Sequence, residues 1–240
     1  MKLDLNCDLG EGEPLARTRA LMRCVTSANV ACGGHAGDAA SMLRCVRLAR
    51  AHQVRLGAHP GTWDRQNFGR TPTRITPDEL ELLLLRQVRS LEGIARSEGV
   101  RLHHLKLHGA LYHATEQDAR LARRYLAVVA RHWPQAKVYA LAGGRVVAAA
   151  RRARVTVWEE AFLDRRYQTD GALVPRAERG ALLSGVQAAL RQANGLVKRG
   201  EVIAQTGEHI RLKAHTLCLH GDGPHAVRLA RAAARLLNDG

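Results

Sequence analysis

Apolar runs of strand length recur at residues 3–9, 26–32, 54–59, 102–107, 137–141, 155–158 and 216–220. Between them the hydrophobic positions switch to helical spacing, so strand and helix alternate along the chain, the pattern of a parallel sheet with helices packed outside it. The clearest helix starts at Thr76-Pro77-Asp78-Glu79, a capping box with proline at the first helical position. It carries Leu80, Leu83, Leu84, Val88, Leu91 and Ala95 on one stripe before Gly99 ends it. Similar stripes predict helices over 42–52, 119–133, 145–153, 181–198 and 226–237. Residues 200–212 interrupt the alternation and read as two short strands around Thr206-Gly207, a small hairpin inserted before the last strand.

The strand ends depart from a pure core pattern. Asn6-Cys7-Asp8-Leu9-Gly10-Glu11-Gly12 closes the first strand, and Asn29 near the end of the second is followed by Gly33-Gly34-His35-Ala36-Gly37-Asp38. His59-Pro60-Gly61 closes the third and Lys106-Leu107-His108-Gly109 the fourth. Glu159-Glu160-Ala161-Phe162-Leu163-Asp164-Arg165-Arg166-Tyr167 follows the sixth, and His220-Gly221-Asp222 ends the last. Glycine, histidine and carboxylates lower strand propensity and need hydrogen bonds or water, so their concentration here points to one convergent site. An open sheet gathers ligand groups at one switch point, whereas a closed barrel draws them from the C-terminal ends of most strands. The spread over so many strands favours an α/β fold of the second kind, a distorted seven-stranded (β/α) barrel.

Within the blocks, Asn6 and Asp8 alternate onto one side of their strand, as do Lys106 and His108. A cation beside a titratable imidazole suits an anionic transition state. Asp38 is placed to cap the helix through Met42, while His35, among glycines, has no strand or helix face and reads as a binding or proton-transfer group. Glu160 or Asp164 reads as a base or metal ligand with Arg165 as an anion clamp, or else the segment is a charged loop pairing with itself. His220 and Asp222 form a further acid–base or ligand pair.

Composition narrows the field. The 240 residues are 46% hydrophobic and 25% charged, enough for a large core in one expected domain, 1–240. Acids interrupt the first residues, and the longest aliphatic run, 82–85, is far too short for a bilayer, so a cytoplasmic protein without membrane association is expected. Five cysteines without a C-x-x-C pair read as reduced packing residues. A net charge of +15 raises the question of nucleic acid, but arginine is spread over nearly every predicted helix and aromatics are only 4%, so no nucleic-acid partner is expected. Such a surface steers anionic small molecules inward. A phosphate loop, H-E-x-x-H, G-x-S-x-G and a dinucleotide fingerprint are all missing.

Taken in order, these blocks resemble the LamB/YcsF lactam-utilisation family, the A subunits of prokaryotic 5-oxoprolinase. The resemblance runs from end to end through residues 4–12, 27–38, 57–61, Phe68-Gly69-Arg70, 106–112, Glu160-Ala161-Phe162, Asp164-Arg165, Tyr167, Gly171, Arg176 and 218–222 with Pro224. Leu107 departs from a usual proline, Gly34 from a common phenylalanine, and Thr62, Trp63 and Asn67 also differ. The resemblance implies a barrel similar to that of the glycoside hydrolases and deacetylases. It also implies ATP-dependent hydrolysis of 5-oxoproline to L-glutamate together with B and C subunits, ATP being a cosubstrate carried with Mg²⁺.

On that reading Asp8, His59, Lys106, His108, Glu160 and Asp222 are catalytic candidates. Asn6, Glu11, Asn29, His35, Asp164, Arg165 and His220 are candidates for binding the lactam or ATP. Lys106 and Arg165 would stabilise anionic oxygens, His59 or His108 would carry a proton, and Asp8 with Glu160 or Asp222 would activate water or hold a divalent ion. Two alternatives stay open: a metal-dependent amide or N-acetyl hydrolase needing no ATP, with Asp8, His35 and His59 as donors, and a basic nucleic-acid-binding module. The oligomeric state, including a homo-oligomer, is left undetermined.

Overall fold

Seven strands, β1 (Asp4–Leu9), β2 (Ser27–Ala31), β3 (Arg55–His59), β4 (Leu102–Lys106), β5 (Lys137–Leu141), β6 (Val157–Phe162) and β9 (Thr216–His220), close into a parallel barrel in that order, β9 pairing back onto β1. This computed structural model describes residues 3–183 and 185–238; the ends of the expected 1–240 span, and Ser184 in the expected helix over 181–198, lie outside the described residues. Around the barrel run α1 (Leu15–Met22), α2 (Ala39–Ala51), α3 (Pro77–Ser97), α4 (Gly109–Gln117), α5 (Ala119–His132), α6 (Arg145–Ala153), α7 (Gly185–Arg199) and α8 (Ala226–Asn238). Strands β7 (Glu201–Ile203) and β8 (His209–Arg211) form the antiparallel hairpin expected before the last barrel strand.

Alternation along each strand sorts side chains between two environments. Leu5, Cys7 and Leu9 of β1 join the apolar layer beneath the helices, which Leu80, Leu84, Val88 and Leu91 of α3 also fill. Asp4, Asn6 and Asp8 point into the barrel, whose interior is polar from end to end. Lowest lies Asp4, accepting from the hydroxyls of Ser27 (2.7 Å) and Thr216 (2.6 Å). One step up, Asn6 Nδ2 donates to Glu160 Oε1 (3.0 Å) and Thr216 Oγ1 (2.7 Å). Asp8 sits at the C-terminal mouth. A polar interior is tolerated because nearly every buried group has a partner.

Two helices, α1 and α4, lie outside the predicted set. Their stripes are short: α1 buries only Thr18, Leu21 and Met22. The sixth strand also runs further than its apolar segment. Glu159 and Glu160 belong to β6 rather than to a charged loop after it. Glu160 finds Lys106 and Asn6 inside the barrel, and Glu159 Oε2 accepts from the Gly143 amide. Paired carboxylates do not terminate a strand. Asp38 caps α2 in a reciprocal box with Ser41, as expected.

One glycine is required by the barrel filling. The imidazole of His104 lies against Gly57, where a Cβ would stand 2.0 Å from Nε2. Beside Gly34 the space is taken by Gln87, 1% exposed, whose amide bonds both the N–H and the carbonyl of Gly61.

Candidate active site

Asp8, at the end of β1, organises the mouth. Its Oδ1 accepts from Lys106 Nζ and Asn29 Nδ2, both at 2.8 Å. Its Oδ2 faces His59 Nε2 at 3.4 Å and His220 Nε2 at 4.0 Å. Burial alone would raise this carboxyl, but the basic groups around it, the Lys106 ammonium at 2.8 Å among them, outweigh burial and hold Asp8 well below the ordinary carboxylate range. Lys106 is the converse case: burial disfavours its charge, yet Asp8, Cys218 and Glu160 keep it well above the usual lysine value. With Asp8, Glu160 at 3.2 Å and Cys218 Sγ at 3.0 Å around it, the ammonium is enclosed and orients Asp8 rather than projecting into the mouth.

Below Asp8 an ordered chain of hydrogen bonds descends the barrel. Lys137 Nζ donates to His103 Nε2 (3.0 Å), leaving His103 Nδ1–H for His104 Nδ1 (3.2 Å). His104 Nε2 then donates to Asn29 Oδ1 (2.6 Å), so the Asn29 amide group is aimed at Asp8 and at Asn6 Oδ1 (2.7 Å). Asn6, Asn29 and Glu160 are therefore fully enclosed beneath the mouth. His104, stacked on Tyr139 at 3.8 Å, stands outside the strand-end blocks and is absent from the sequence-derived candidates. Its signal is present in the strand all the same, because Leu102, His104 and Lys106 share the face assigned to Lys106.

On one side of Asp8, histidines gather. His59 Nδ1 donates to the Lys106 carbonyl (2.8 Å) and His108 Nε2 to the Phe68 carbonyl (2.8 Å). A carbonyl only accepts, so each ring turns its other nitrogen inward, His59 Nε2 and His108 Nδ1 lying 2.9 Å apart. His35 stacks on His108 with centroids 3.6 Å apart, and its Nε2 lies 2.9 Å from Glu11 Oε1. Burial pushes His35 down to about 2 and His108 well below the usual imidazole value. The same burial, with Asp8 nearby, raises the Glu11 carboxyl.

On the other side, His220 Nδ1 faces both oxygens of Asp164 at 3.0 Å, and the Asp164 carboxylate also accepts the His220 amide. Burial raises the Asp164 carboxyl, but His220 more than compensates and keeps it low. The ring proton therefore sits on Nδ1, and Nε2 presents a lone pair to the mouth. Asp222, expected as a partner of His220, lies instead at the rim, where its Oδ2 accepts from Arg70 Nη2 (2.7 Å) and Arg176 Nη2 (3.0 Å). Arg165 is buried at 3% exposure with Nη2 on the Val174 carbonyl (2.7 Å) and its Nε without a partner, whereas Arg70 and Arg176 stand more exposed at the rim. Neither arginine has a role that its own stretch of sequence reveals, because the acid that pairs them stands far away along the chain.

Donor atoms of Glu11, His35, His59 and His108 lie within 4.8 Å of one another, as do those of Asp8, Cys218 and His220. Of the expected donors Asp8, His35 and His59, the two histidines group with Glu11 and His108, and Asp8, whose Oδ2 faces His59 at 3.4 Å, groups with Cys218 and His220. Among the described residues no helix is long and apolar enough to cross a membrane.

A family model described as the LamB/YcsF family matches residues 3–240. A protein from Erwinia tasmaniensis that is named as the A subunit of 5-oxoprolinase is 44% identical over 230 residues, covering 96% of this chain and 93% of the relative. One of the same name from Bordetella pertussis is 43% identical over 232 residues, 95% of this chain and 92% of its own. The crystal structure of a lactam utilization protein from Thermus thermophilus superposes with a TM-score of 0.91 at 38% identity, over 100% of this chain and 97% of that one.

Proposed function

The chain belongs to the LamB/YcsF family, and from that membership we propose that it is the A component of a 5-oxoprolinase, opening 5-oxoproline to L-glutamate with ATP and in company with B and C subunits. Relatives named as 5-oxoprolinase A subunits over nearly the whole chain support the reading. The structural observation that carries it is the facing of Asp8 Oδ2 and His220 Nε2 at 4.0 Å, two acceptors at the C-terminal end of the barrel. A water donating to both, with hydrogen bonds of about 2.8 Å, fits a gap of this size.

The proposed chemistry follows from that gap. A lactam carbon is a poor electrophile until its oxygen is phosphorylated by ATP, which releases ADP. Water held between Asp8 and His220 then attacks the ring carbon and gives its proton to His220 Nε2. The C–N bond breaks as His220 returns that proton to the leaving nitrogen, and a second water displaces phosphate from the acyl group to leave glutamate. One imidazole thus serves as base and then acid, with Asp164 holding its tautomer and offsetting its charge. Lys106 keeps Asp8 ionised and in place. Arg70 and Arg176 are the rim cations suited to the substrate carboxylate or a phosphate, with Asp222 keeping them oriented until an anion arrives.

The test is reconstitution with the B and C subunits, ATP and 5-oxoproline, followed by glutamate release. Turnover that needs ATP and falls by about 10²- to 10⁴-fold in His220→Ala is expected. Lactam or amide hydrolysis that proceeds without ATP would replace this reading with an ATP-independent amide hydrolase.

A further inference from the structure

The histidines beside Asp8 pose a hydrogen-bonding problem that the lactam reading leaves untouched. His59 gives its one proton to the Lys106 carbonyl and His108 gives its own to the Phe68 carbonyl. Their remaining nitrogens nevertheless face each other at 2.9 Å, lone pair to lone pair. Glu11 Oε1 lies 3.4 Å from His108 Nδ1, 3.7 Å from His59 Nε2 and 2.9 Å from His35 Nε2. His35 is 2% exposed, and its Nδ1 has no hydrogen-bond partner. Donor atoms converging at such distances in a buried pocket are arranged to hold a cation among them. A proton can bridge His59 and His108, and His35 Nε2–H can serve Glu11, but four nitrogen and oxygen donor atoms still converge on one point.

We propose that Glu11, His35, His59 and His108 bind one divalent transition-metal ion of the zinc class. Three imidazole nitrogens and one carboxylate make four donors of intermediate softness, the set that selects zinc, cobalt or nickel over magnesium or calcium. Backbone carbonyls fix the outer nitrogens of His59 and His108, the arrangement that orients metal-ligating imidazoles. Elements far apart in the chain supply the donors: the β1–α1 loop, the β2–α2 loop, the end of β3 and the residue before α4. The ion would offset lone-pair repulsion in the mouth and place a Lewis acid one side chain away from Asp8. The inference stands on donor geometry alone and does not depend on the lactam assignment.

The test is a titration of chelator-treated full-length protein with Co²⁺, without substrate, ATP or partner subunits. One equivalent is expected to develop visible ligand-field bands, displaced by Zn²⁺ and unaffected by millimolar Mg²⁺. His59→Ala and His108→Ala should each weaken Co²⁺ binding at least 100-fold, while His220→Ala retains it. No cobalt–thiolate charge-transfer band should appear, because Cys218 belongs to the other donor group. Should a variant fail to fold, the wild-type stoichiometry, band position and rise in Tm with Zn²⁺ still decide the matter. Absence of a one-equivalent Co²⁺ spectrum, displacement by Mg²⁺, or loss of the signal in His220→Ala with retention in His59→Ala and His108→Ala would each overturn the proposal. None of these readouts requires turnover, so a failed lactam assay and a failed metal site are separable results.

Discussion

Lys106 Nζ and Asp8 Oδ1 meet at 2.8 Å with side chains that are each 3% exposed. A pair this deep is worth little as a stabiliser in net terms, because desolvation offsets most of the attraction, but breaking it strands a charge. Lys106→Met leaves Asp8 and Glu160 together without a cation and should cost about 3–5 kcal/mol in denaturant unfolding. Adding Asp8→Asn to Lys106→Met should recover part of that loss. A single Lys106→Met variant within about 0.5 kcal/mol of the parent would mean that the ammonium is not what holds the mouth.

Asp164 never needs to touch the lactam to matter. Its contact with His220 Nδ1 at 3.0 Å sets which nitrogen carries the proton. In the reconstituted enzyme Asp164→Asn should lower kcat by about 10²- to 10⁴-fold through the wrong tautomer while leaving KM for 5-oxoproline nearly unchanged. Equal losses in both constants would assign Asp164 to substrate binding instead.

Gly57 and Gly93 make a matched pair for testing how the barrel is filled. Alanine at Gly57 collides with His104, so overpacking should destabilise by about 1–3 kcal/mol and pull Asn29 out of register with Asp8. Gly93 lies within α3 with no atom within 4 Å of an added Cβ, so Gly93→Ala should stabilise by about 0.5–1 kcal/mol. Thermal melts of the two variants moving in the same direction would contradict this account of the interior.

Acid should unfold the protein early. Burial lowers the pKa of His35 to about 2 and takes His104 and His108 well below the usual value, so these rings gain protons only on unfolding. A group that binds its proton only in the unfolded chain leaves stability intact above about pH 6.5 and erodes it as pH falls below that. Each such ring contributes a slope of up to about 1.4 kcal/mol per pH unit. His103 and His113, lowered to about 4 mainly by burial, act in the same sense between about pH 6.5 and pH 4. Guanidinium midpoints of chelator-treated protein should therefore drop between about pH 7.5 and pH 5, and equal midpoints would show that these rings are already protonated in the folded state.

Much of this architecture is legible from local pattern. The strand–helix alternation, the capping box at Thr76, the hairpin before the last strand and the clustering of polar blocks at strand ends all follow from hydrophobic period and turn chemistry, which act over a few residues. Glu160 shows where that reasoning stops. A carboxylate looks like the end of a strand until a lysine 54 positions earlier in the chain proves to stand 3.2 Å away inside the barrel. Asp222 shows the same limit from the other side: its neighbour in sequence is His220, but its partners in space are Arg70 and Arg176.

The order of residues is enough to make this chain close a parallel barrel and bring its histidines and acids to one mouth, because side-chain alternation and strand direction leave them no other end to occupy. Which groups are neutralised, which are aimed and which are free is settled only once the barrel has closed. Those outcomes depend on distances of about 3–4 Å between residues roughly 50 to 200 positions apart, where charge, burial and the direction of a single N–H are set by neighbours that no local pattern records.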